Sequence, residues 1–206
     1  MAREQSLSVS RMDGFSDGVF SIAATLLVLD ISIHPPGSAL ERLQHAWPAY
    51  LAYLVSFLTI GAAWLSHTAL TNRLTRADSL LLRLNLLLLL VIAFLPFPTK
   101  VVADALQQGP RQRTYVTLYG LVLLLIRALG WVLDEYASRE HLYAADSDDN
   151  ETRMEERKFL PAVFGYVVAV LVAIVFPGLA LVFYFGVAIF LIVPFRELGR
   201  LIFRRG

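Results

Sequence analysis

FLPAVFGYVVAVLVAIVFPGLALVFYFGVAIFLIVPF, residues 159–195, contains no Asp, Glu, Lys, Arg or His. As one helix, rising 1.5 Å per residue, it would reach roughly 55 Å. A bilayer core is only about 30 Å thick and takes about 20 apolar residues. Pro177-Gly178 stands near the middle of the block, and proline followed by glycine stops a helix and turns the chain. The block therefore reads as two short antiparallel crossings, about 159–176 and 179–195, joined by a tight hairpin.

Four further blocks approach crossing length. The first, about 14–33, contains Asp17 and Asp30, and the second, about 47–70, carries His67 but no formal charge. The third, about 80–99, holds Arg83 and Asn85 and ends in Pro96-Phe97-Pro98; the fourth, about 114–133, holds Arg127. The expected fold is an all-α integral membrane domain of six transmembrane helices covering 1–206. Composition agrees. Hydrophobic residues make up 57% and charged residues 17%, against about a quarter charged in a soluble domain. That leaves too little polar side chain to coat a water-facing globule.

Lysine and arginine gather on the side that holds both termini. That side has Arg3, Arg11, Arg73, Arg76, Arg139, Arg153, Arg157, Lys158, Arg196, Arg200, Arg204 and Arg205, twelve in all. The other has four: Arg42, Lys100, Arg111 and Arg113. Both termini are therefore expected in the cytoplasm, together with a polar linker over 138–158. The linker's Asp146-to-Glu151 run lacks the glycine and terminal glutamate of a calcium loop, so it reads as solvated chain.

Several chemistries are excluded or unsupported. There is no cysteine, hence no disulfide or thiolate metal site. His34, His45, His67 and His141 have no metal-ligand spacing, and a net charge of +1 gives no reason to expect nucleic acid as a partner. No zinc-protease, nucleophile-elbow or phosphate-loop motif is present. The Thr-Val-Gly-Tyr-Gly potassium filter is absent too. Phe164-Gly165-Tyr166-Val167 only echoes it, inside an apolar helix where a small residue serves close packing.

The first helix differs from the others. At 100° per residue, Gly18, Ile22, Thr25 and Leu29 fall within an arc of roughly 60°. That face carries small, bulky apolar, hydroxyl and bulky apolar groups, while Asp17 and Ser21 point away from it. Two readings compete: a packing face for another helix, or one of several copies surrounding an axis. Charges at membrane depth cost a few kcal/mol and need a partner or water. Asp17, His67, Arg11 and Asn85 can meet that need among themselves, as a packing clasp or as part of a gate. Asp30, at the outer end, fits either a ring of cation-concentrating carboxylates or a solvated helix end. Arg83 and Arg127 can snorkel or pair across helices, and Asp134 reads as interfacial.

Arg11-x-x-x-Phe15-Ser16-Asp17 resembles the Arg-x-x-x-Phe-Ser-Asp signature of the transmembrane protein 175 family. The resemblance continues through Trp64-x-x-His67, Asn72-Arg73, Asn85 and Leu95-Pro96-Phe97-Pro98-Thr99, and so covers about the first half of the chain. It implies a passive, potassium-selective, leak-like channel without cofactors, in the cell membrane. A single six-helix unit per chain implies a homotetramer with the first helices around the axis. By position, Ile22 matches the apolar constriction, Ser21 and Thr25 the hydroxyl-bearing layer, and Leu29 a further apolar layer, with Gly18 on the same face. Arg11, Phe15, Ser16 and Asp17 match residues that brace this helix, with His67 and Asn85 as partners. An apolar ring of this kind selects by the cost of stripping water, which is lower for potassium than for sodium. The rival expectations are a proton or non-selective cation pathway, or a non-conducting membrane scaffold or sensor.

Overall fold

The structure, a computed structural model, describes residues 9–29, 38, 40–41, 46–108, 112–144 and 149–193. Its helices are α1 (Val9–Leu29), α2 (Trp47–Arg73), α3 (Ser79–Phe94), α4 (Pro96–Gln108), α5 (Gln112–Arg139), α6 (Asp149–Val175) and α7 (Pro177–Ile192). α3 and α4 are separated only by Leu95, and together they make an apolar run from Ser79 to Ala105. Counted by spans, the described residues form six helices. Four are long and apolar enough to cross a bilayer: α1, α2, α3 with α4, and α5. The apolar parts of α6 and α7, Leu160–Val175 and Pro177–Ile192, are shorter.

Two boundaries differ from the expected ones. Pro96-Phe97-Pro98 was expected to end the third helix near residue 99, yet the helix resumes at once and runs to Gln108. Proline is tolerated in a helix's first turn, where its missing N–H would have no partner anyway. Leu95 stays in the right-handed helical region, at φ −55° and ψ −35°, so the axis continues through it. Thr99 then accommodates the break, because its Oγ1 donates to the Leu95 carbonyl at 2.8 Å. The second difference is at α6, which starts at Asp149, inside the stretch 138–158 read as a linker. A charged first turn does not prevent a helix from continuing outward past its apolar span. Residues 30–33 and 194–195 of the expected crossings, and 145–148 of the linker, lie outside the described residues.

At Pro177 the hairpin forms as the sequence suggests. α6 ends at Val175, Phe176 adopts φ −129° and ψ 77°, and Pro177 opens α7. Gly165 of α6 faces α7, where a Cβ would come within 2.7 Å of Val187 Cγ2. A methyl group there would force the two helices apart.

α2 is the central post: α1, α4, α5 and α7 all pack against it, while α6 packs on α5 and α7. The core holds three fully buried tyrosines, Tyr119, Tyr166 and Tyr184. Buried hydroxyls need partners. Ser56 Oγ sits 2.7 Å from both Tyr119 Oη and Thr99 Oγ1, joining α2, α4 and α5. Tyr184 Oη donates to the Val116 carbonyl at 3.3 Å. Its phenol fills the space beside Gly120, where a Cβ would collide with the ring and hydroxyl.

A polar strap closes the end of the bundle where α2 stops and α3 begins. Thr75 N donates to Leu142 O and Ala144 N to Arg73 O, both at 3.0 Å, which ties the α2–α3 loop to the segment after α5. His141, at φ 52°, ends α5 in the left-handed region. Leu142 N then bonds back to Ala137 O and His141 N to Ser138 O, the Schellman pattern of a helix stop. Asp78 caps α3 through Leu81 N at 2.7 Å and accepts from Tyr136 Oη at 2.6 Å. Arg73 Nη2 pairs with Asp134 Oδ1 at 2.8 Å and stacks over the Tyr143 ring. Asp134 thus holds a cross-helix ion pair, with its side chain 23% exposed.

Candidate functional site

α1 buries Met12, Ser16, Phe20, Ala23 and Leu27. Their spacing of three or four residues makes one stripe of a 3.6-residue helix, packed on α2, α3 and α4. On the opposite side stand Gly18, Ile22, Thr25 and Leu29, all exposed, with Ile22 at 60% and Leu29 at 76%. No other part of the described chain covers this face. Thr25 Oγ1 donates to the Ile22 carbonyl at 2.9 Å, leaving the hydroxyl oxygen's lone pairs turned outward. Ser21 is exposed beside the face. Asp30 lies outside the described residues.

The buried stripe of α1 is pinned by polar bonds. Ser16 Oγ donates to Met12 O at 2.8 Å, and Asn85 Nδ2 donates to Ser16 Oγ at 3.0 Å. Asn85 Oδ1 then faces His67 Nε2 at 2.9 Å. This one chain of bonds joins α1, α3 and α2. Phe20 covers the imidazole, with ring centroids 5.5 Å apart. Ser16, His67 and Asn85 are all buried, so these bonds exchange little with solvent.

Asp17 does not meet His67. Its Oδ1 accepts from Trp64 Nε1 at 2.8 Å, while one turn earlier Asp13 Oδ1 accepts from Thr71 Oγ1 at 2.8 Å. Together these rungs hold α1 antiparallel to α2. Arg11 and Phe15 are exposed, Phe15 at 58%; the structure brings neither into this cluster. Asp13 and Thr71 were not singled out from sequence, although Asp13 stands one helical turn before Asp17 and Thr71 one turn after His67. Arg83 is exposed on α3, and Arg127 lines a cavity between α2, α5 and α6. Among the described residues no three His, Asp or Glu side chains converge as a metal site would require.

The brace and the uncovered face lie back to back on a helix that opens with Arg11-x-x-x-Phe15-Ser16-Asp17. Residues 11–96 match the family model described as the endosomal/lysosomal potassium channel TMEM175. A Streptomyces collinus protein named as a potassium channel is 37% identical over 178 residues, covering 83% of this chain and 85% of that protein. The chain belongs to the TMEM175 family. A Chamaesiphon minutus protein, also named as a potassium channel, is 36% identical over 73% of this chain. The fold agrees as well. The crystal structure of a lysosomal potassium-selective channel TMEM175 homologue from Chamaesiphon minutus superposes with a TM-score of 0.78 at 30% identity. That match covers 89% of this chain and 95% of the other, so the likeness includes the second half of the chain, beyond the residues that carry the signature.

Proposed function

We propose that this chain forms a potassium-conducting pore in the membrane, with α1 facing the conduction axis of a homotetramer. The observation that carries the reading is the placement of Gly18, Ile22, Thr25 and Leu29: opposite the buried stripe and uncovered by the other described residues. A face of this composition is suited to an axis shared with further copies. It alternates apolar bulk with a hydroxyl, and a brace of buried hydrogen bonds holds it from behind. The names of the Streptomyces and Chamaesiphon relatives support potassium as the permeant ion.

Ile22 is the constriction in this reading. Four isoleucines at one level exclude bulk water, and a cation passes by shedding part of its hydration shell. Thr25 and Ser21 offer oxygens between the apolar layers, Leu29 adds a second ring, and Asp30, next in sequence, is the candidate carboxylate for the outer mouth. Conduction is passive, without catalysis, metal or organic cofactor. The excess of basic residues beside the termini supports placing both in the cytoplasm, with the cell membrane as the site of action.

The deciding experiment is potassium flux into liposomes carrying the purified chain, compared with Ile22→Asn. The substitution wets the constriction, so flux should rise and discrimination against sodium should fall. Unchanged permeability ratios would overturn the assignment. A second reading is proton conduction, favoured by one observation: a Gallus gallus relative, 41% identical over 109 residues, is named as an endosomal/lysosomal proton channel. The match spans only 22% of that protein. Separate proton and potassium gradients across the same liposomes distinguish the two.

A further inference from the structure

His67 has one nitrogen whose needs the brace does not meet. The hydrogens of the brace can be assigned in order. Ser16 donates its hydroxyl hydrogen to Met12 O, so it receives the Asn85 Nδ2 hydrogen on its lone pair. That fixes the amide orientation, and Asn85 Oδ1 can only accept. His67 Nε2 must therefore carry the hydrogen that reaches it. In the neutral ring Nδ1 is then a bare acceptor. It is buried, in a residue only 3% exposed, and has no hydrogen-bond partner in the protein.

His67 is also among the residues that line the cavity between α2, α5 and α6. The cavity measures about 60 Å³, room for about four water molecules at roughly 10–15 Å³ each. Along α2 it runs from Thr59 past Ala63 and His67 to Arg73, and at that end it is bordered by Asp134. The Asp134 side chain is 23% exposed, so the cavity ends beside solvent. Asn85, the partner of Nε2, is not among the lining residues.

We propose that this cavity is a hydrated proton-binding site inside each subunit, separate from the α1 face, in which water donates to His67 Nδ1 and can deliver a proton to it. In the transfer, a hydronium ion gives its proton to the Nδ1 lone pair. Water remains and the ring becomes an imidazolium, with the Nε2–H···Oδ1 bond kept. The charged groups around the ring come from several elements. Asp13 and Asp17 face it from α1, Arg73 lies further along α2, and Arg127 and Asp134 line the cavity from α5. α3 contributes the neutral Asn85 and α6 the Tyr166 hydroxyl. Because the imidazole packs on Phe20, its charge state is placed directly behind α1. The site stands whether or not the axis conducts potassium.

The test is solid-state NMR of the full chain in bilayers with ¹⁵N-labelled histidine. Wild type should show magnetisation transfer from water to the His67 ring. It should also show Nδ1 gaining a proton as pH is lowered through and below the ordinary histidine range. Ala63→Leu fills the cavity and should abolish the water transfer while the Nε2 signal of the Asn85 bond persists. Gly130→Leu does the same from α5, where an added Cβ meets no atom within 4 Å, and serves if Ala63→Leu does not fold. A dry Nδ1 in wild type that does not respond to pH would overturn the proposal. So would water transfer that survives in the filled variants.

Discussion

Asn85 Nδ2 donates to Ser16 Oγ at 3.0 Å, fastening α1 to α3 on the side of α1 turned away from Ile22. The face and its fastening therefore separate cleanly, and substitutions can address one without the other.

Removing the fastening should weaken the fold. Ser16→Ala leaves the Asn85 amide hydrogen buried and unpaired, at a cost of about 1–3 kcal/mol. Asn85→Leu removes the bonds to both Ser16 and His67 and should cost at least as much. Because the two residues share a bond, the double variant should lose less than the sum of the single losses. Thermal unfolding in detergent measures all three, and strict additivity would contradict the coupling.

Altering the face should change conduction. Ile22→Asn should raise potassium flux roughly tenfold, equivalent to about 1.4 kcal/mol of barrier. Ile22 lies outside the buried stripe, so the unfolding midpoint should barely move. A large loss of stability with unchanged flux would mean that Ile22 packs rather than constricts.

Much of α1 was legible because one helical period sorts its residues into two faces, and both are as the spacing of Gly18, Ile22, Thr25 and Leu29 implies. Pro177-Gly178 was legible for a related reason: an uncharged block too long for one crossing must turn, and only one place in it can. Pro96 and Pro98 carried a weaker signal, since proline ends one helix and starts the next equally well. The partners of Asp17 and Asp134 were not legible. Trp64 and Arg73 stand 47 and 61 positions away from them, and such pairs are fixed by the packing of α1 and α5 on α2, not by local pattern. Asp13 carried the local signal for its bond to Thr71, one turn from Asp17.

Gly120 and Tyr184 form a size-matched pair. Gly120→Ala should destabilise the protein by about 1–3 kcal/mol, as overpacking does, because the phenol cannot retreat from a buried site. Tyr184→Leu alone leaves a void and costs about as much. Combined, the two should recover part of the loss, since the added methyl occupies vacated space. Unfolding midpoints for the three variants check this, and failure of the double variant to improve on Gly120→Ala would show that the clash is relieved elsewhere.

Tyr143 lies beyond the end of α5, and its hydroxyl is held protonated well above the ordinary tyrosine value, chiefly by burial and further by its bond to the Asp134 carboxylate. A group with a raised folded-state value gives stability that is complete below its unfolded value, about 10, and declines as pH rises beyond it. Unfolding free energy should therefore fall with rising pH between about 10 and 12, and Tyr143→Phe should flatten that slope. At neutral pH the same variant should cost about 1 kcal/mol. Asp134→Ala, which removes the carboxylate paired with the buried Arg73 guanidinium, should cost about 3 kcal/mol.

The strap of Thr75 to Leu142 and Ala144 to Arg73 also has a mechanical side. It joins the connector leading into α6 to the foot of α2, and α2 carries Trp64 and His67, the residues that grip the back of α1. A load applied at Ala144 reaches α1 through these two main-chain bonds and α2. Anything that pulls on the acidic segment after Ala144 is thus pulling on the helix that bears Ile22.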